Sequence, residues 1–336
     1  MAGHWTQRRK FGGHKTHVIG RIRLRVLHAL QLSLFRALRL RGVLTELAEE
    51  SGGSDVVRVG ISGVPGVGKS TFIEALGTRL VAAGHKVGVL AVDPSSPFSG
   101  GALLGDRIRM QEHAADDGVY IRSMASRGHL GGLSFTTPQA VRVLDAAGFD
   151  VVLVETVGVG QSEVEVAGLA DTTMVLLAPG MGDGIQAAKA GILEVGDLYV
   201  VNKADRDGAD RLRRDLRSGL ALTERAADAW QPPILATVAQ TGQGVDDVVE
   251  GLEAHRAWLE ETGQLAARRA RRARAEVEAV AVAALRARWE LGDHSALDRL
   301  AEAVAAGTAP VGSPTTAKKP VEVADFAARL ELPPVF

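Results

Sequence analysis

Between Gly63 and Thr71 the chain reads GVPGVGKST, which fits the spacing G-x-x-x-x-G-K-[ST] with Gly63, Gly68, Lys69 and Ser70 at the fixed positions. Glycines in such a stretch let successive backbone N–H groups turn inward and face phosphate oxygens. A helix opening directly after it offers its positive N-terminal end to the same anion. Val64, Pro65, Gly66, Val67 and Thr71 then complete the cradle. Lys69 is placed to bridge the outer phosphates, and the Ser70 hydroxyl to bind Mg²⁺. The flanks suit this role: the apolar run VVRVGIS precedes the turn, and FIEALGTRLVAAG, with helical apolar spacing, follows it.

A second group sits at the end of another apolar run, VVNKAD, where Asn202, Lys203 and Asp205 fit N-K-x-D. A carboxylate at Asp205 accepts two hydrogen bonds from guanine N1–H and N2–H₂. Adenine offers no such pair and would leave the carboxylate desolvated and unsatisfied. Four residues alone also describe an ordinary charged turn; following a phosphate cradle, they point to a guanine reader. The turn TVAQTGQGVDD brings Val238, Ala239 and Gln240 to the place where backbone N–H groups meet the guanine oxygen, with Val-Ala where Ser-Ala is commoner.

Three acids complete the constellation. The run FDVVLVE ends in Glu155, followed by Thr156, Val157 and Gly158, the equivalent of the D-x-x-G found in small GTPases. A buried strand has no use for a charge at its tip unless a ligand lies there. Glu155 is therefore expected to face Mg²⁺ or its waters, with the Gly158 N–H toward the γ-phosphate. Asp93 ends the run VGVLAVD, and Asp106 lies in SGGALLGDRIRM. Ser70, Asp93, Asp106 and Glu155 would supply the oxygen ligands Mg²⁺ prefers. A turn-forming aspartate and a helix surface charge are the alternative readings of Asp93 and Asp106. Gln161 is the candidate for orienting the attacking water.

These groups need a scaffold that brings several strand tips to one edge. From Val56 onward, short apolar runs alternate with longer helical patterns: VVRVGIS, HKVGVLAVD, GVYIRSM, DVVLVET, TTMVLLAP, DLYVVNKAD and PPILATVA. Continuous apolar runs separated by helices predict a mostly parallel sheet, buried on both faces and doubly wound. The expected organisation has three parts. Residues 1–50 form a basic helical segment, partly disordered; residues 51–250 form an α/β P-loop GTPase domain; residues 251–336 form a helical arm and tail. The arm includes QLAARRARRARAEVEAV, whose run from Arg268 to Arg274 reads as a solvated helix face or a contact for nucleotide or partner acids.

Composition narrows the classes further. The 336 residues are long enough for about two domains of roughly 150 residues. A net charge of −1 argues against a bulk nucleic-acid or membrane binder. The chain has no cysteine, which excludes disulfides, thiol catalysis and cysteine metal sites and suits a reducing compartment. The segment before Glu46 is rich in arginine and free of acids. Such a start resembles an organelle transit peptide; a basic helix packed beside the main domain is the other reading. Bacterial cytoplasm is the expected location, ahead of a mitochondrial matrix.

The stretches GVPGVGKSTF, VLAVDPSSPFSGGALLGDRIRM, IRSMASRGHLGGLS, VETVGVGQSEVEVA, VLLAPGMGDGIQAAKAGILEVGDLYVVNKAD and TVAQTGQGVDDV resemble the GTPase chaperones associated with methylmalonyl-CoA mutase. The resemblance spans about residues 56 to 290 and includes long segments outside the generic GTPase motifs. It implies a fold of the signal-recognition-particle and metal-insertion class, GTP hydrolysis with Mg²⁺, and a homodimer formed through the helical arm. It also implies binding to a B12-dependent acyl-CoA mutase, with an adenosyltransferase as a further partner, and gating of cofactor loading. On that pattern Lys69, Asp93, Asp106 and Glu155 are nucleotide and metal positions. PGMGDGIQAAKAG becomes a third switch segment, with Lys189 its charged contact. The first 45 residues and the tail after Gly307 depart from the pattern.

Three other readings use parts of the same sequence. A nickel-insertion GTPase would exploit His4, His14 and His17, but its usual cysteine site is absent. A P-loop kinase of a transport system would transfer phosphate to a protein, against the guanine signature at Asp205. A nucleic-acid binder would use the arginines from Arg268 to Arg274.

Overall fold

The computed structural model describes residues 56–93, 118–125, 137–156, 162–180, 192–222 and 228–290, with isolated positions at 226, 302, 305 and 306. Asp106, Gly158, Gln161, Lys189 and the basic N-terminal segment lie outside the described residues.

Each of the seven apolar runs forms a strand: β1 (Val57–Ser62), β2 (Val87–Asp93), β3 (Val119–Ala125), β4 (Val151–Glu155), β5 (Thr172–Leu177), β6 (Leu198–Asn202) and β7 (Ile234–Thr237). They build one sheet in the order β3-β2-β4-β1-β5-β6-β7, and every pairing in it is parallel. The helices are α1 (Lys69–Ala82), α2 (Thr137–Ala146), α3 (Ser162–Leu169), α4 (Ile192–Val195), α5 (Ala209–Ala221), α6 (Val245–Glu261) and α7 (Gln264–Glu290).

Helices cover both faces, which explains the unbroken apolar character of the strands. On one face Val57, Val59 and Ile61 of β1 meet Phe72, Ile73, Leu76 and Leu80 of α1 and Val245, Val248 and Leu252 of α6. On the other face Val152 and Val154 of β4 pack with Ala140, Val141 and Leu144 of α2 and Val166 of α3. The approach of α3 is close: a Cβ on Gly60 would sit 2.7 Å from Val166 Cγ2. Only glycine leaves room for that contact at the middle of the central strand.

The chain divides into two compact units, Met1–Ala273 and Arg274–Phe336. The beginning of α7 belongs to the first unit, and there the arginine run departs from expectation. Arg268, Arg269 and Arg272 turn inward instead of forming a solvated face or meeting nucleotide. They grip Asp171 and Asp197, the residues just before β5 and β6, at the N-terminal edge of the sheet. Arg268 reaches both oxygens of Asp197 at 2.8 Å and donates to Asp171 O at 3.0 Å. Arg272 meets Asp171 Oδ1 at 3.1 Å, and Arg269 meets Asp171 Oδ2 at 3.3 Å. The sequence shows a basic run but not the two acids beneath it, which come from loops far away in the chain. Arg274, in the second unit, pairs along the helix with Glu278 at 3.0 Å.

Candidate functional site

After β1 the chain crosses to β2 on one side of the sheet, and from β4 it returns to β5 on the other. The point where winding reverses therefore lies at β1, and open parallel sheets bind ligands outside the carboxyl ends of the strands at such a point. The turn after β1 is the glycine-rich stretch itself. Gly63 has φ +152° and a Cβ there would lie 2.5 Å from Leu176 O; Gly68 has φ +90° and a Cβ would lie 2.8 Å from Asn202 Nδ2. Neither position accepts a side chain, so the turn passes tightly between β5 and the tip of β6. Gly68 caps α1, whose first turn holds no acidic residue, and the helix keeps its positive end for an anion. Lys69 Nζ donates to Gly63 O at 2.7 Å and so lies across the mouth of the turn.

Glu155 arrives from the neighbouring strand. It pairs in register with Ile61 of β1 on one side and Ala91 of β2 on the other. Its side chain is buried beside α1, where Ser70 Oγ donates to Glu155 Oε1 at 3.4 Å. The carboxylate at the strand tip and the hydroxyl after the P-loop lysine thus converge. The register sets Asp93 two residues beyond Ala91, at the end of β2. Two hard oxygen donors of this type suit Mg²⁺.

Asn202, at the tip of β6, joins three segments. Its Nδ2 donates to Val67 O at 2.9 Å, and its Oδ1 accepts from Thr237 Oγ1 at 3.2 Å and from the Ala239 N–H at 3.1 Å. Lys203 Nζ crosses to Gly66 O at 2.6 Å. Lys203 is also the one non-glycine residue with positive φ, 56°, among the described residues. Such backbone persists where its surroundings enforce it; two residues on, Asp205 is exposed. The turn after β7 closes on itself: the Val238 N–H donates to Gln243 O at 3.0 Å, and Gln240 is exposed at its tip. Sequence reasoning singled out Asn202, Val238 and Ala239 but passed over Thr237, whose link to Asn202 exists only across the β6–β7 pairing.

A model of the family described as "Methylmalonyl Co-A mutase-associated GTPase MeaB" matches residues 36–292. The chain belongs to this family. A GTPase-named protein of Pyrococcus horikoshii is 52% identical over 224 residues, covering 66% of this chain and 71% of the relative. The methylmalonic aciduria type A homolog of Mus musculus, a mitochondrial protein, is 44% identical over 63% of this chain and 52% of its own length. The GTPase ArgK of Escherichia coli is 44% identical over 63% of this chain and 65% of its own. Among solved structures, an LAO/AO transport system kinase has a TM-score of 0.66 at 29% identity, covering 90% of this chain and 96% of that one. The MeaB-family chain is thus a P-loop GTPase that binds guanine nucleotide. No helix among the described residues is long and apolar enough to cross a membrane.

Proposed function

We propose that this MeaB-family GTPase is a chaperone of a B12-dependent acyl-CoA mutase, methylmalonyl-CoA mutase or a relative. It gates adenosylcobalamin loading and protects or reactivates the mutase, with an adenosyltransferase as a further partner. The observation that carries the reading is the family match across residues 36–292, in a family described by its association with that mutase. The mouse relative's name, which refers to methylmalonic aciduria, points the same way. The protein acts as a homodimer through its C-terminal helical arm, and the first 50 residues are a separate basic segment.

In this reading the turn from Gly63 to Thr71 holds the phosphates by backbone N–H groups, and Lys69 leaves its carbonyl contacts for phosphate oxygens. Asp205 takes the guanine N1–H and N2–H₂ edge, and the exposed turn at Gln240 faces the guanine oxygen. Ser70, Asp93, Asp106 and Glu155 would hold Mg²⁺, which neutralises charge on the β- and γ-phosphoryl oxygens. Gly158 donates to the γ-phosphate, and Lys189 provides a charged contact from the third switch. Glycine-rich stretches follow β4 and β5 in the sequence, VGVG and GMGDG, and glycine admits the widest range of backbone conformations. A partner that contacts them accelerates hydrolysis. GTP turnover measured with and without purified mutase tests the reading: the expected result is a clear rise on addition of mutase, and equal rates overturn it.

A further inference from the structure

An aspartate just before each of three strands makes the same bracket on the strand beside it. The Asp150 N–H donates to Lys86 O at 2.9 Å, while Asp150 Oδ2 accepts the Lys86 N–H at 2.8 Å. Asp171 holds Arg58 in this way at 2.8 and 3.2 Å, and Asp197 holds Thr173 at 2.8 and 2.9 Å. In each case a carboxylate oxygen stands in for the backbone carbonyl that the ladder lacks where the strand begins. The brackets precede β4, β5 and β6 and fix where each starts against its neighbour. Arginines of α7 grip the brackets before β5 and β6; among the described residues none reaches Asp150.

Asp197 starts β6, the strand that leads to Asp205. It is buried, Arg268 meets both of its carboxylate oxygens at 2.8 Å, and Trp230 Nε1 donates to its carbonyl at 2.7 Å. A two-pronged guanidinium contact sets the plane of a carboxylate as well as its distance. Arg268 therefore decides how Asp197 Oδ2 meets the Thr173 N–H, and through it how β6 starts against β5. At the far end Lys203 Nζ reaches Gly66 O of the phosphate turn, and Asp205 follows two residues on. The five residues of β6 span about 16 Å at roughly 3.3 Å each. An extended strand has no slack, so the position of its first residue sets the position of its tip.

We propose that Arg268 and Asp197 are positioning residues for the nucleotide base: from the opposite edge of the sheet, helix α7 sets the seat of β6 and thereby the place of the Asp205 carboxylate relative to the phosphate turn. The inference rests on the proposed contact between Asp205 and the N1–H and N2–H₂ edge of guanine. Directional contacts lose most of their worth on a displacement of about 1 Å, so a small change at the start of the strand is read at its end. Asp150 supplies an internal comparison, because its bracket starts β4, which carries no proposed base contact.

The test measures dissociation constants for GDP and for inosine diphosphate, which lacks the 2-amino group, on the full chain and on R268M, R268K and D150N. The ratio of the two constants within one sample is independent of the fraction of protein that is folded. The wild type is expected to prefer GDP by about tenfold or more, the worth of one hydrogen bond to a charged group. R268M is expected to lower that preference by about fivefold, the low end of coupling between distant sites. R268K keeps the charge without the two-pronged contact; it should lower the preference less, and it carries the test if R268M does not fold. D150N should keep the wild-type preference. Arg268 variants that keep it overturn the role of Arg268 and Asp197 and leave the guanine contact standing. A D150N preference that falls as far as that of the Arg268 variants shows that loosening any strand start has this effect, and overturns the assignment as well. A wild type that binds the two nucleotides alike overturns the contact at Asp205, and with it this inference.

Discussion

Glu155 shows how one side chain combines burial and chemistry. It is 7% exposed at the end of an apolar strand, a place where an ionised carboxylate needs a polar partner, and Ser70 is within 3.4 Å. Glu155→Gln keeps the volume and removes the charge. It should lower Mg²⁺-dependent GTP hydrolysis by at least about tenfold while leaving GDP affinity within a few-fold, because the metal matters most as charge develops in the transition state. Single-turnover hydrolysis alongside GDP titration separates the two; unaltered hydrolysis would remove Glu155 from the metal site. Asp205→Asn addresses the other end of the nucleotide. An amide donates where the carboxylate accepted, so GDP binding should weaken by about 10²-fold, and xanthosine diphosphate, which carries an oxygen at position 2, should gain. Competition between the two nucleotides gives the answer directly.

At the scale of elements, α7 begins in an ion-pair lock. Burial pushes the Asp171 carboxyl up, but the Arg272 and Arg269 guanidiniums outweigh it and hold it below the ordinary carboxylate range. Arg58, buried in β1 and beside Arg272, is lowered to about 10. Removing the anion leaves these arginines facing one another. Asp171→Asn should therefore destabilise the fold by about 3–5 kcal/mol, seen as a lower urea midpoint. A group whose folded pKa is depressed stabilises above its unfolded pKa, so the Asp171 contribution is lost only in strong acid, as pH falls through the lowered value.

His255 of α6 belongs to the same edge. Its Nδ1 lies 2.8 Å from Thr172 Oγ1, its Nε2 lies 3.4 Å from Asp197 Oδ1, and Trp258 stacks on it at 5.9 Å. Burial lowers its pKa from 6.5 to about 4; Asp197 opposes the shift and Arg268 adds to it. The unfolded chain then binds the proton more readily than the folded one. Stability should fall as pH drops from about 6.5 toward 4, and His255→Gln should flatten that part of the curve. Urea midpoints measured across this range decide it; an unchanged slope would show that His255 is not the titrating group.

For the whole molecule, the arrangement sets the proposed nucleotide contacts at one edge of the sheet and the ion-pair lock at the other. The strands β5 and β6 run between them: each starts beside an acid of the lock, and β6 ends at Asn202. Salt offers a further check. The lock is largely buried, so the urea midpoint of the free protein should change little between low and moderate ionic strength, whereas a charged docking surface would weaken over the same range.

Much of this protein was legible in its sequence. Apolar runs separated by helical patterns determined the seven strands, because a parallel sheet covered on both faces needs continuous burial. The motif at Gly63–Thr71 and the NKAD turn determined the ligand class, because local backbone geometry and side-chain type act over a few residues. Family stretches between the motifs carried the resemblance. Only the tertiary structure decided that Arg268, Arg269 and Arg272 face inward, that Glu155 lies against Ser70, and that Thr237 holds Asn202. Each of these depends on residues distant in the chain meeting across strand register or a sheet edge, and the partner that satisfies a buried charge or amide is set by packing, which no local spacing records.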